Sequence, residues 1–591
     1  MLRRTLLKLA ALTGLSAALP RPARASSPAA PPARVVVVGA GPAGISAALE
    51  LAERGVAVTL IEADAQVGGK VKGWTETLGA DTVDVEHGVH GWWHQYVHFK
   101  DLLRRADLHH RLNERDPKGT YRWAGGEMNA NTRRGFRAFV GRFRAESKNL
   151  GYERFQRDLR AGLKYLQSLE PAVARATLGG RSVAQWHKDG APLTLWRVFA
   201  EETSHSMYFV PPEQLDAAEF ALGERFYFAE SRDTVSVQWL RGNPQTELWE
   251  PLIARFKALG GQVRLNARVS EVEVVDGRAV GVHLGKPSPG VHVAELPYGW
   301  TELPREGGEG SIFVRRDQDD RLTALSGRCT HAGCPLTLTP GEGFACPCHG
   351  GRFDEEGQPL EGPPETPLRR LWADWGGDGV TIEGEPSAEF VPAEWVILAL
   401  DAPGLRAVAG DILPAVKRLR TVPATVARFW LDRDLPEELG HAVIFTELPH
   451  ISNGFLLHRL QDKARAWAEA RGGGAVIELQ AYKNMDPTLS REATLDLIEA
   501  DLRAAWPELQ GAKVLKRTLT VSNTFTSFHP GWHEGSLPVL TAVPGLLLAG
   551  DHVTTDRVCA FMEKAVFTGR LAANEVLGAL GLPMAKVLPS A

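Results

Sequence analysis

Two patterns predict an α/β protein with a second module set into it. The first is a strand, glycine turn, helix and strand running from Arg34, V-V-V-V-G-A-G-P-A-G-I-S-A-A-L-E-L-A-E-R-G-V-A-V-T-L-I-E. Gly39, Gly41 and Gly44 form its G-x-G-x-x-G turn, where missing side chains let backbone amides and a helix N-terminus approach a pyrophosphate. Glu62 closes the second strand, where a carboxylate accepts ribose hydroxyls, so the unit is Rossmann-like. The second pattern is a broken meander. R-V-S-E-V-E-V-V-D-G-R-A-V-G-V-H-L ends at Leu284, and its continuation, E-W-V-I-L-A-L-D-A-P-G-L, begins only at Glu394. About a hundred residues lie between, with four of the chain's five cysteines among them.

Those four stand as C-T-H-A-G-C and C-P-C-H-G-G. Two thiolates on one iron and two imidazoles on the other would hold a 2Fe-2S cluster through Cys329, His331, Cys346 and His349. Zinc is the competing reading for closely spaced cysteines, but it leaves the C-x-H spacing and the glycine-proline frame unexplained. The segment resembles the Rieske proteins of the bc type, down to Gly351-Arg352-Phe353 through Gly357, Gly362-Pro363-Pro364 and Pro367-Leu368. That resemblance implies an inserted all-β Rieske domain in which Cys334 and Cys348 pair as a disulfide. High-potential members carry a serine and a tyrosine where this chain has Gly351 and Phe353. Fewer donors to sulfur imply a potential below the top of the Rieske range of roughly −150 to +300 mV.

Two more stretches bear on the nucleotide. Gly68-Gly69-Lys70 follows the second strand, and G-L-L-L-A-G-D, Gly545 to Asp551, precedes the helix M-E-K-A-V-F-T-G-R-L-A-A-N-E. Together they resemble the FAD-dependent amine oxidase and carotenoid (phytoene) desaturase superfamily. The resemblance implies FAD as cofactor, with Gly550, Asp551 and Met562 at the flavin and Val269, heading the meander, among the cofactor contacts. E-H-G-V-H from Glu86 resembles the segment beside the flavin in carotenoid desaturases. F-H-P-G-W-H-E-G-S-L-P-V-L and F-M-E-K-A-V-F-T-G-R are similar to the isorenieratene synthase-like branch. Glu86 and His90 are the candidate catalytic residues; His87, His90, His94 and His98 could alternatively hold a mononuclear iron, although their spacing is not the usual one.

The fold expectation is a Rossmann-like FAD-binding domain, an α+β substrate domain and the inserted Rieske domain. A chain of 591 residues is too long for one core. Parts of the FAD-binding domain are drawn at 34–99, 241–286, 389–415 and 521–591. The substrate domain takes 100–240 and 416–520, and the Rieske domain takes 287–388. Some of the sixteen tryptophans could line an apolar channel, although most fit ordinary core or surface positions.

Residues 1–25, with M-L-R-R-T-L-L-K, an apolar run and Ala23-Arg24-Ala25, read as a twin-arginine signal followed by a linker at 26–33. Export to the periplasm or the outer face of the cytoplasmic membrane is expected, with an uncleaved anchor as the alternative. Net charge is −4, and loss of Arg3, Arg4, Lys8, Arg21 and Arg24 would take it to −9. Neither value favours nucleic acid. Arg133 to Arg144 alternates arginine with phenylalanine at helical spacing, which fits either a peripheral membrane contact or a core-facing stripe. Cys559 is either reactive or simply packed.

The implied reaction removes hydride from an apolar isoprenoid, in carotenoid desaturation or ring aromatisation. Electrons would pass from flavin through the cluster to a quinone or cytochrome. The alternatives are an amine oxidase-type dehydrogenase of an exported polar substrate and an electron-transfer protein without an organic substrate.

Overall fold

The computed structural model describes residues 33–589 except 114–118, 124–125, 130–151, 192–195, 231–236, 286–290, 294–295, 305–310, 318–321, 377–378, 384–385, 446, 487 and 536. The segment read as an export signal and the Arg133–Arg144 stripe therefore lie outside the described residues. No helix among those described is long and apolar enough to cross a membrane.

A five-stranded parallel sheet carries the nucleotide unit, in the order Leu546–Leu548, Trp395–Leu398, Arg34–Val38, Ala57–Ile61, Gln262–Arg264. Its central strand reads as an unbroken valine run because both faces are covered: Val35 and Val37 join one apolar cluster, Val36 and Val38 another. The helices Pro42–Ala52 and Phe561–Ala579 lie against each other on this sheet, close enough that a methyl on Gly569 would meet the Ala43 carbonyl oxygen at 2.2 Å.

The insertion leaves from one strand and returns on its neighbour. Val269–Val275, Arg278–Gly285 and Pro386–Pro392 form an antiparallel sheet in which Gly285 pairs with Pro386, so the ends of the inserted module are adjacent. Between them are a six-stranded and a four-stranded antiparallel sheet. The former places Arg370–Gly376 beside Gly379–Glu383 and Leu322–Ser326; the latter carries the cysteine loops.

A seven-stranded sheet forms the second large layer, with Val514–Thr526 at one edge and Thr421–Leu431 and Ala475–Ala481 next to it. Leu495, Ile498 and Leu502 of the helix Arg491–Ala505 cover one of its faces. Several junctions drawn from sequence cut through elements. Helix Val97–Arg105 spans the junction at 99, strand Pro386–Pro392 that at 388, the short helix Pro414–Arg418 that at 415, and strand Val514–Thr526 that at 520. Composition shifts mark such changes only loosely, because one continuous strand can serve two domains.

Candidate functional site: a nucleotide cleft and a surface cysteine-histidine centre

A cavity of about 1270 Å3 lies between the parallel and seven-stranded sheets. Single-ligand pockets occupy roughly 300–1,000 Å3, so this one has room for a cofactor and a second ligand. Gly39, Gly41, Glu62, Gly69, Lys70, Gly550, Asp551 and Met562 all line it.

The glycines divide by role. Gly39 has a left-handed φ of 97°, and a methyl there would lie 2.5 Å from the Ala399 carbonyl oxygen. A methyl on Gly69 would sit 3.1 Å from Gly41 Cα, so two bare backbone turns face each other where the helix beginning at Pro42 presents its amides. Gly44 and Gly68 do not line the cavity. Gly44 would bring a Cβ within 1.8 Å of the Gly39 carbonyl oxygen, and Gly68 within 2.7 Å of Trp249 Nε1. They permit close packing behind the turn.

Glu62 accepts from Ala40 N at 2.7 Å and Asp64 N at 3.0 Å, which fixes it beside the glycine turn. Burial pushes its carboxyl above the usual range against those two donors. At the other side Asp551 meets Lys70 Nζ at 3.2 Å and accepts from Thr526 Oγ1 at 2.9 Å. Burial opposes its charge, but Lys70, His552 and Thr526 together hold the carboxyl far below the ordinary value. Met562 follows Phe561, whose left-handed φ of 46° starts the last helix. These bare turns, free amides and a committed anion suit a dinucleotide whose pyrophosphate meets the first helix.

The Val269 side chain is buried in the core with Val272 and Val282, while Asn266 and Arg268 line the cavity beside it. Glu86 is absent from the cavity wall. Its Oε1 accepts from Gln461 Nε2 at 2.7 Å and lies 3.3 Å from Arg428, which also binds Glu478, and burial raises its carboxyl above the usual range. The next residue, His87, lines the cavity, as does His90. Nδ1 of each has no hydrogen-bond partner. His98 instead meets Glu563 at 2.6 Å, both buried, so the four histidines do not gather on one metal among the described residues. Cys559 does not line the cavity, and burial pushes its thiol up to about 11, as for a packed residue.

The second centre is local. Cys329 and Cys346 are free and buried, whereas His331 and His349 are exposed with ring centroids 4.9 Å apart. Burial raises the Cys329 thiol, and neighbouring Cys346 adds to the shift, so the two sulfurs face one another. Cys334 and Cys348 form a disulfide joining the two loops. Cys346 N donates to Gly351 O at 2.7 Å, and Cys329 N to Cys334 O at 2.8 Å. Two inner thiols and two outer imidazoles fit the mixed ligand set of a 2Fe-2S centre. A Cβ on Gly351 would lie 2.6 Å from Pro364 Cγ, and Phe353 is wholly buried, so neither position offers a hydroxyl. None of these residues lines the cavity.

Fold and sites define an FAD-dependent oxidoreductase that carries a 2Fe-2S cluster in an inserted domain. The chain belongs to the flavin containing amine oxidoreductase family, whose profile matches residues 42–292 and 365–577, and the Rieske [2Fe-2S] domain profile matches 289–372. It is 30% identical to a carotenoid phi-ring synthase of Chlorobaculum tepidum, across 92% of this chain and 88% of that protein. A carotenoid phi-ring synthase of Streptomyces griseus is 28% identical across 93% and 88%. The 15-cis-phytoene desaturase of Arabidopsis thaliana is 26% identical but matches only 46% of this chain and 47% of its own length. Cyclohexylamine oxidase of Brevibacterium oxydans shares the fold, with a TM-score of 0.53 at 13% identity over 93% of this chain and all of that one.

Proposed function

We propose that this oxidoreductase removes hydrogen from a carotenoid, in desaturation or ring aromatisation. The observation that carries the reading is the cavity wall: it is aromatic, and its carboxylates are already engaged. Trp74, Trp93, Phe209, Tyr227, Tyr482 and Phe525 line it. Asp64 pairs with Lys72, Glu76 with Lys516 at 2.8 Å and Asp551 with Lys70, while Glu62 and Asp401 accept backbone N–H groups. The two lining carboxylates without a lysine partner, Glu62 and Asp401, are tied to the backbone of Ala40 and Gly404 at the nucleotide turns, so an ammonium substrate finds its counter-charge only on the cofactor side, whereas an isoprenoid needs none. The names of the phi-ring synthases similar to this chain support the same substrate class.

When bound, FAD supplies a two-electron hydride acceptor and the cluster a one-electron carrier. The protein's own residues supply position and dryness. A cation left on the substrate survives only where water is excluded, and the aromatic walls provide that. The imidazoles of His331 and His349 are exposed, which supports electron transfer from the second centre to an external quinone or cytochrome. Export through the N-terminal arginine pair belongs to the same proposal and would place that encounter outside the cytoplasm.

The test is anaerobic. Holoprotein receives beta-carotene or an acyclic precursor in detergent micelles while flavin absorbance and the reduced-cluster EPR signal are followed. Bleaching, a cluster signal and a more unsaturated product are expected. Bleaching by small amines with no response to carotenoid would overturn the reading.

A further inference from the structure

The loop between Glu86 and the strand Gly91–Trp93 is held with unusual firmness. His87 N donates to Lys72 O at 3.2 Å, and Val89 N to the buried Glu478 Oε1 at 2.6 Å. Behind it Arg428 binds both Glu478 and Glu86 and donates to Asp84 O at 2.6 Å. Gly88, with φ at 137°, lets the backbone turn there without a side chain. The result is an imidazole fixed in the cavity wall with Nδ1 buried behind it, which leaves Nε2 as the ring nitrogen toward the cavity.

Aromatic rings surround the same spot. Ring centroids of Trp74 and Phe525 each lie 6.5 Å from that of His87. Phe525 is 4.8 Å from Phe209, which is 4.5 Å from Tyr482. Phe209 holds this position from a left-handed backbone, φ 64°, which a bulky residue adopts only where its surroundings enforce it. Lys70 Nζ, 5.7 Å from the Phe525 ring, links the cluster to Asp551 on the cofactor side. Ring faces stabilise a nearby cation. A neutral imidazole beside them offers a lone pair without adding charge.

We propose that His87 takes the proton that a bound carotenoid gives up after hydride has left it. The assignment rests on the substrate reading above. FAD, when bound, would supply the acceptor for the hydride and its electron pair, and a carbon cation would be left on the substrate. A C–H bond next to that cation then breaks, directly or after a methyl shift. Its electron pair becomes the new C=C bond, and its proton moves to Nε2 of His87, which later releases it to water. A C–H bond beside a cation is strongly acidic, so a weak base suffices. Burial, with Lys72, His90 and Lys70 near, keeps His87 neutral by lowering its pKa to about 3.

The deciding experiment uses anaerobic holoenzyme with beta-carotene in micelles and compares wild type with His87→Gln and His90→Gln. In His87→Gln, carotenoid affinity for the dithionite-reduced protein should stay within about two-fold, while kcat falls by about 100-fold or more, the usual contribution of a positioned base. Added imidazole should restore product formation in His87→Gly and leave His90→Gly unchanged. If the glutamine variant does not fold, the glycine variant with and without imidazole decides the matter. A converting wild type beside an unimpaired His87→Gln, or imidazole rescue confined to His90→Gly, overturns the assignment alone. A wild type that converts no carotenoid overturns the substrate reading and the assignment with it.

Discussion

Histidine does opposite work in the two centres of this molecule, and burial makes the difference. His331 and His349 are exposed at the rim of a cysteine pair buried beneath them. His87 and His90 are set into the cavity wall among aromatic rings, where burial lowers their pKa values to about 3 and about 4. The outer pair is suited to ligate a metal and face a partner. The inner pair is suited to remain uncharged beside an apolar ligand. The supports differ as well: ligand loops about twenty residues apart, joined by one disulfide, carry the first centre, whereas the cavity draws on segments from Gly39 to Ala565.

The largest test of this separation is removal of a cluster ligand. Cys346→Ser should abolish the 2Fe-2S EPR signal and the bound iron, because a serine oxygen replaces a thiolate. FAD should remain bound at one per chain, since no ligand residue touches the cavity. Loss of both cofactors together would show that the centres are not structurally independent.

Next in size is the buried ion cluster behind the cavity wall. Arg428, Glu86 and Glu478 are 2%, 5% and 0% exposed, and one guanidinium serves both acids. Arg428→Met strands two carboxylates and should cost about 3–5 kcal/mol, read from the denaturant midpoint of flavin release. The cluster's own unfolding, followed by visible absorbance, should move much less. Equal shifts in both signals would mean that the inserted domain and the flavin unit unfold as one.

These residues also mark where sequence reading succeeds and where it stops. The cluster ligands were legible because every one lies between Cys329 and His349, so spacing alone encodes the geometry. The glycine turn was legible for the same local reason. The cavity wall was not. Glu86 ends its strand and His87 opens the loop that follows, so the two neighbours point different ways. Which of them meets the ligand depends on Arg428, Gln461 and Glu478, more than three hundred residues away. Of the two candidates taken from the E-H-G-V-H segment, His90 lines the cavity and Glu86 does not. One available signal was chemical: a lone acid next to a distant arginine has a reason to be buried, whereas a histidine between lysines at 70 and 72 and an aromatic strand does not. Phe209 and Phe525 carried no signal, since their importance comes from packing and from a backbone angle that sequence does not show.

A smaller effect separates the glycines. Gly44→Ala would push a methyl into the Gly39 carbonyl, where a Cβ has only 1.8 Å. The helix must shift against the sheet, at about 1–3 kcal/mol, and FAD affinity should fall by about ten-fold or more on fluorescence titration. Gly55→Ala, where a Cβ meets nothing within 4 Å, tests only its left-handed φ of 77° and should leave FAD affinity near wild type.

The smallest effect concerns acid. An ordinary histidine takes up a proton near pH 6.5, whereas His87 and His90 in the folded cavity do so only near 3 and 4. Between those limits the unfolded chain binds protons that the folded chain does not. Stability is therefore fully present above pH 6.5 and declines as pH falls toward 4, by at most about 1.4 kcal/mol per pH unit for each imidazole. Asp551, with its carboxyl far below the ordinary value, acts in the same direction only below about pH 4, the unfolded carboxylate range. Glu86, raised to about 7 by burial, takes up its proton first in the folded chain and acts in the opposite direction over this range, so the His87 share is read as the difference between wild type and His87→Gln. Comparing denaturant midpoints at pH 7.5 and 5.5, wild type should lose more than His87→Gln, and the gap should close at pH 7.5. An equal loss in both proteins would mean that His87 titrates normally, and the contrast between an inner neutral pair and an outer ligand pair would no longer hold.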